Sequence, residues 1–149
     1  MDIKSGSSYP SSALSNFAPH PFYMGEVLCN SMEGFLQSLK FKNPDMQIEV
    51  CKMVGRQAKD KGSNKNWKKD QTLYWQGKQY KRDNKEYQEL LDMAFKALSE
   101  NSSFKKALLS TGKSTLTHNA GKKKITDTVL TKSEFCGRLT KLRDNMKRV

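Results

Sequence analysis

The chain has 149 residues, 36% of them hydrophobic and 28% charged, with 27 Lys and Arg against 15 Asp and Glu for a formal charge of +12. That length suits one domain with one core. No apolar run nears a membrane span and the start, Met1-Asp2-Ile3-Lys4, lacks a signal-peptide core, so a soluble cytoplasmic protein with no membrane partner is expected. Cys29, Cys51 and Cys136 are odd in number and scattered, and His20 and His118 lie far apart, which argues against a disulfide scaffold and a zinc site. No metal or cofactor is expected. The positive charge favours phosphorylated ligands, nucleotides or nucleic acid without telling them apart. A surface that is lysine-rich only for solubility is the plainer alternative.

Residues 1–12 are polar, with Gly, Ser and Pro, and predict a flexible arm ahead of a single domain over 13–149. Phe22-Tyr23 and Val27-Leu28 read as short strands around the turn residue Gly25. Asn30 or Ser31 then caps a helix through Phe41, with Met32, Phe35, Leu36 and Leu39 recurring at i, i+3, i+4 and i+7 as one apolar stripe. Glu33, Gln37 and Lys40 form a second stripe at i, i+4 and i+7, about a third of a turn round from the first. A carboxylate, an amide and an amine thus stand at the edge of a buried face, where desolvation and neighbouring charge shift pKa values. A solvated face is the ordinary alternative.

Asn43-Pro44 ends that helix and opens a second, whose Ile48, Cys51, Val54 and Ala58 make a buried stripe. Residues 59–65 read as a basic loop leading to Asn66-Trp67, and 67–75 as a short helix or turn. Asn84 caps the most regular helix, with Tyr87, Leu90, Leu91, Ala94 and Leu98 at helical spacing. Asn101 or Ser102 starts a shorter one through Phe104, Leu108 and Leu109, closed by Gly112. Gly121 and Lys122 to Lys124 mark an exposed loop, and Thr131 with Glu134 forms a capping box for a terminal helix carrying Phe135, Leu139, Leu142 and Met146. Five or six helices with a little strand predict an α+β, mainly α-helical domain.

Taken in order, Leu14-Ser15-Asn16-Phe17, the Ser-x-Glu-x-x-x-Gln-x-x-Lys pattern of Ser31 to Lys40, Gly55-Arg56 and Asn66-Trp67 resemble the NADAR superfamily, the YbiA-like N-glycosidases, from about Leu14 to Arg143. The resemblance implies a single compact, mainly helical domain with a little β-strand around one cleft. It also implies hydrolysis of the bond between a phosphorylated ribose or ADP-ribose and an exocyclic amine, with phosphoribosylamino-pyrimidine intermediates of riboflavin synthesis and ADP-ribosylated guanine as substrate classes. Nucleic acid is left open as carrier of the modified base. The chain departs from the pattern at Gly34, where many relatives have His, and in lacking a late Asp-x-x-Trp-Gly segment, for which Asp127 is the nearest candidate.

Catalytic roles fall on Glu33, Lys40, Trp67 and Asp127, and substrate binding on Ser15, Asn16, Phe17, Gln37, Arg56, Asn66 and His118. A partly desolvated Lys40 could attack the sugar's C1 as a neutral amine and give a Schiff base, with Glu33 moving the proton. Alternatively Glu33 orients water against an oxocarbenium-like centre. The lysine route is preferred. Trp67 is either a stacking wall or a core anchor; Arg56 offers bidentate phosphate contact or is simply solvated. A binding module for ADP-ribose or nucleic acid, without catalysis, is the competing reading.

Overall fold

The computed structural model describes residues 1–146, and side chains replace lost backbone bonds at the starts of four of its helices, where Ser31, Asn43, Asn101 and Thr131 accept from N–H groups of the first turn. The elements run α1 (Ser11–Leu14), β1 (Phe22–Met24), β2 (Val27–Cys29), α2 (Met32–Ser38), α3 (Pro44–Cys51), α4 (Gly55–Ser63), a 3-10 turn (Trp67–Lys69), β3 (Thr72–Trp75), β4 (Lys78–Lys81), α5 (Lys85–Leu98), α6 (Ser102–Ser110) and α7 (Lys132–Met146). This is the expected α+β, mainly helical architecture. The last three residues of the expected domain, 147–149, lie outside the described residues.

β1 and β2 pair antiparallel, Phe22 opposite Cys29 and Met24 opposite Val27, with Gly25 turning at φ 60°. Ser31 caps α2 by accepting from the Gly34 N–H at 3.0 Å. The apolar stripe of α2 docks as its spacing requires: Met32, Phe35, Leu36 and Leu39 join one cluster with Leu73, Tyr87, Leu91, Phe95, Phe135 and Leu139. α2 ends sooner than expected, at Ser38, because its last carbonyls find other donors. The Leu39 carbonyl accepts from Tyr74 N–H at 2.8 Å, and the buried Gln47 amide donates to the carbonyls of Ser38, Phe41 and Tyr74.

Three expectations fail for physical reasons. The long helix from Pro44 to Ala58 is two helices, broken where Gly55 adopts φ 54°, so that Val50 and Cys51 are buried on α3, Ala58 on α4, and Ile48 only half so. The break gives α2 its seat: a side chain on Gly34 would stand 2.6 Å from the Met53 carbonyl oxygen, so only glycine fits. Residues 59–63, expected as loop, are the second half of α4, and 72–81 form a hairpin in register Thr72 to Lys81 and Trp75 to Lys78. Third, residues 1–12 are not a loose arm. Ile3 is fully buried and bonded through its N–H to the Thr117 carbonyl at 2.8 Å, and Ser11 Oγ donates to the Asp2 carbonyl at 2.7 Å.

The capping box of α7 is present: Thr131 Oγ1 accepts from Glu134 N–H, and Glu134 accepts from Thr131 N–H at 2.7 Å. Glu134 also receives the guanidinium of Arg82, itself 1% exposed, at 2.6 and 3.1 Å, and the Gln88 amide at 2.6 Å. Burial alone would raise the Glu134 pKa, but Arg82, Thr131 N–H and Gln88 together hold it below the usual carboxylate value. Arg82 Nε donates to the Thr128 carbonyl at 2.8 Å and Tyr87 Oη to that of Val129 at 2.5 Å, so the segment before α7 is bolted to α5. Replacing Arg82 by Ala strands a buried carboxylate, for which urea unfolding should show a loss of about 3–5 kcal/mol. Because the folded carboxyl pKa is depressed, the contribution of Glu134 is present above the ordinary carboxylate range and disappears as pH falls through its folded value.

Candidate active site

α2 and the turn that follows it carry the polar stripe into a cleft of about 580 Å³, lined by Glu33, Gln37 and Lys40 together with Leu36 and Trp67. The opposite wall is supplied by the chain's first residues, Lys4 to Gly6, by His118 and by the bolted segment from Asp127 to Leu130. Ser15, Asn16 and Phe17 also line it, held against the start of α2 by a 3.0 Å bond from Glu33 N–H to the Asn16 carbonyl. Ser15 Oγ accepts from Phe17 N–H at 3.2 Å, which shapes that turn.

Glu33 is half-buried, and its environment works against ionisation. Burial raises its pKa; a 2.6 Å bond accepted from Gln37 Nε2 and the charges of Lys59, Lys40 and His118 pull back without cancelling the rise. Lys40 shifts the opposite way. Burial lowers its pKa, Glu33 opposes that, and Lys68, Lys122 and Lys59 add to the lowering. No ion pair joins the two side chains among the described residues. Each therefore sits partly dehydrated, with no ion-pair contact among the described residues to offset its charge.

Gln37 is 6% exposed and its Nε2 is committed to Glu33. Among the described residues its Oε1 has no hydrogen-bond partner, and it lies against Gly62 of α4, where any side chain would stand 1.9 Å away. Gln37 thus orients the carboxylate, and Gly62 is the hollow that lets it do so. Trp67 is 6% exposed, joined to the core cluster, and also part of the cleft lining. Arg56 is an exposed rim residue 4.0 Å from Asp60. Asp127 is at the rim as well, exposed in a turn closed by its N–H to the Lys124 carbonyl at 3.0 Å. His118 Nδ1 bonds to the Ile3 carbonyl at 2.8 Å. Asn66 is the exception: it is exposed, precedes the 3-10 turn and does not line the cleft, so its expected substrate contact is not supported by its position.

The residues that sequence reasoning passed over are mainly cationic. Lys4, Lys59, Lys65, Lys68 and Lys122 join Arg56 and Lys40 around the cleft, against only the two carboxylates of Glu33 and Asp127. A signal for part of this existed: Arg56, Lys59 and Ser63 recur at i, i+3 and i+7 along α4, a stripe hidden once 59–65 is read as loop. Lys4 to Gly6 had none, since their position depends on the pairing of residues 1–3 with 115–117. Among the described residues no group of His, Cys, Asp and Glu could hold a metal ion, and no helix is long and apolar enough to cross a membrane.

Because burial raises the folded-state pKa of Glu33, its ionised form is a cost to the fold that is absent below the unfolded carboxylate pKa and complete once pH exceeds the folded value. The isosteric Glu33→Gln variant should therefore melt higher than wild type at pH 7 to 8, by roughly 3 °C per kcal/mol recovered, and the gain should vanish below about pH 4.

Comparison with known proteins places this geometry. The profile of the family described as bacteriophage protein GP30.3 matches residues 8–144. An uncharacterized 17.1 kDa protein of the Gp30-rIII intergenic region of enterobacteria phage T4 is 36% identical over 149 residues, covering 98% of each chain. The NMR structure of the E. coli protein YbiA superposes with a TM-score of 0.64 over 99% of this chain and 84% of that one, at 16% identity, which establishes the YbiA-like fold.

Proposed function

The chain belongs to the family of bacteriophage protein GP30.3, and from that premise we propose that it is an N-glycosidase, cleaving the bond between a phosphorylated ribose or ADP-ribose and an exocyclic amine. The observation that carries this reading is the pairing of opposite shifts in one cleft: a carboxyl pushed up and an amine pushed down, both chiefly by burial, beside an indole wall and within a ring of lysines. Phosphate charge accounts for the ring, and the flat face of Trp67 suits a sugar or base. The YbiA-like fold is compatible with a hydrolase and leaves the reaction to these residues.

An exocyclic glycosylamine can open to an imine, which gives an amine nucleophile access to C1. Neutral Lys40 attacks C1, the leaving amine departs with its bond pair and a proton, and water releases the sugar from the Schiff base. Glu33, one helical face away, moves protons between the ring oxygen and water. The cleft volume of about 580 Å³ admits a ribosyl phosphate with its amine, as sites of a few hundred Å³ generally do.

Purified protein incubated with a phosphoribosylamino-pyrimidine and, separately, with ADP-ribosylated guanosine should release sugar phosphate or ADP-ribose from one of them. Lys40→Arg should abolish this turnover and also abolish trapping of substrate on the protein by borohydride. Substantial turnover in that variant would instead support water attack directed by Glu33. For wild type, the rising limb of kcat/KM against pH should have its midpoint below the ~10.4 of an ordinary lysine, since the amine acts in its neutral form and its pKa is lowered.

The excess of cations around the cleft favours a second reading, a binding module for ADP-ribose or nucleic acid. It predicts no product from either substrate, affinity that survives Glu33→Gln and Lys40→Met together, and, for nucleic acid, a steep loss of binding as salt rises.

A further inference from the structure

His118 is held on every side but one. Its Nδ1 lies 2.8 Å from the Ile3 carbonyl, which can only accept, so that nitrogen carries the hydrogen. One face meets the edge of Phe135 at 5.4 Å between ring centres and 77° between planes. The Cδ2 edge abuts Gly121, where an added side chain would stand 2.7 Å away, and the loop is closed by Gly121 N–H to the His118 carbonyl at 2.9 Å. Ile3 is itself fixed, fully buried and bonded to Thr117, with Thr117 N–H returning to the Met1 carbonyl at 2.9 Å. What remains of the ring lines the cleft, and among the described residues Nε2 has no hydrogen-bond partner. The imidazole is close enough for its charge to act on Glu33 across that space.

The geometry points to His118 as the general acid for the departing amine, with the chain's own N-terminal residues 1–3 as the device that sets its tautomer and aim. This assignment rests on the N-glycosidase reading and adds a proton donor on the wall opposite α2. Asp127, the sequence candidate for the family's late acidic residue, is exposed at the rim. In the step, the protonated ring gives its Nε2 hydrogen to the exocyclic nitrogen as the bond from C1 breaks and its electron pair passes to that nitrogen. The amine leaves neutral, and His118 remains neutral with hydrogen on Nδ1 and a lone pair on Nε2. Water then adds to the Lys40 iminium at C1, its hydroxyl bonding carbon and its proton returning to Nε2, and the carbinolamine collapses as the hydroxyl proton passes to the departing Lys40 nitrogen and the sugar leaves as the aldehyde, so ring and amine end as they began. Histidine suits such a cycle because it gains and loses a proton near neutral pH.

Two measurements test this. In wild type, nitrogen-15 spectra of the neutral His118 ring should show hydrogen on Nδ1; hydrogen on Nε2 would overturn the assignment. Kinetically, His118→Ala should lose about 10²–10³-fold in kcat, lose more with poorly departing amines than with good ones, and recover in part with added imidazole. A loss equal across leaving groups with no imidazole rescue would mean a structural role and end the proposal while leaving the N-glycosidase reading intact. A wild type that releases no product from any glycosylamine would remove the parent reading, and this role with it.

Discussion

The dehydration of Glu33 is the constraint around which the other features of the cleft are arranged. A carboxylate taken out of water must be paired, neutralised or put to use. Here it has no ion pair among the described residues: its hydrogen bond comes from Gln37, a neutral amide, and Lys59, Lys40 and His118 act on it through space. Holding it so requires an α2 that can approach the junction of α3 and α4 without a side chain at Gly34, and an α4 that makes room for Gln37 at Gly62. Neither glycine is there for flexibility. Both permit close packing that forces a polar stripe to sit at the edge of a dry core.

The opposite wall is made from distant parts of the chain and stays in place through bonds that have nothing to do with chemistry. Arg82 and Tyr87 hold the carbonyls of Thr128 and Val129, Gln71 Nε2 that of Thr126, and the terminal segment holds His118. A buried ion pair such as Arg82 with Glu134 is seldom the most stabilising solution for a core. Its use here is positional, because the same guanidinium that meets Glu134 also fixes the backbone of the cleft wall.

The half of the site from Glu33 to Lys40 was legible in the sequence because α2 and the turn directly after it carry it, and helical spacing places side chains on faces without knowledge of the rest of the fold. Met32, Phe35, Leu36 and Leu39 buried themselves and Glu33, Gln37 and Lys40 reached the cleft as their periodicity required. The Ser31 cap and the box of Thr131 with Glu134 were legible for the same reason, being local. What was not legible depends on contacts between distant segments. A polar, glycine-containing terminus looks loose until Thr115 and Thr117 offer it partners, and Lys4 reaches the cleft only by that route. The hairpin of β3 and β4 has alternation too weak to betray it, since β4 is polar almost throughout. Asn66, which the resemblance pairs with Trp67, stands exposed outside the cleft lining, because neighbours in sequence need not face the same way.

Side-chain titration of Glu33 and Lys40 by NMR, in wild type and in Lys40→Met, tests most directly whether the two groups share one dehydrated cleft. In wild type Glu33 should titrate above ~4.3 and Lys40 below ~10.4. Removing the Lys40 charge, which stabilises the carboxylate, should move Glu33 higher still. A Glu33 that titrates at the ordinary carboxylate value and does not respond to Lys40→Met would contradict the account.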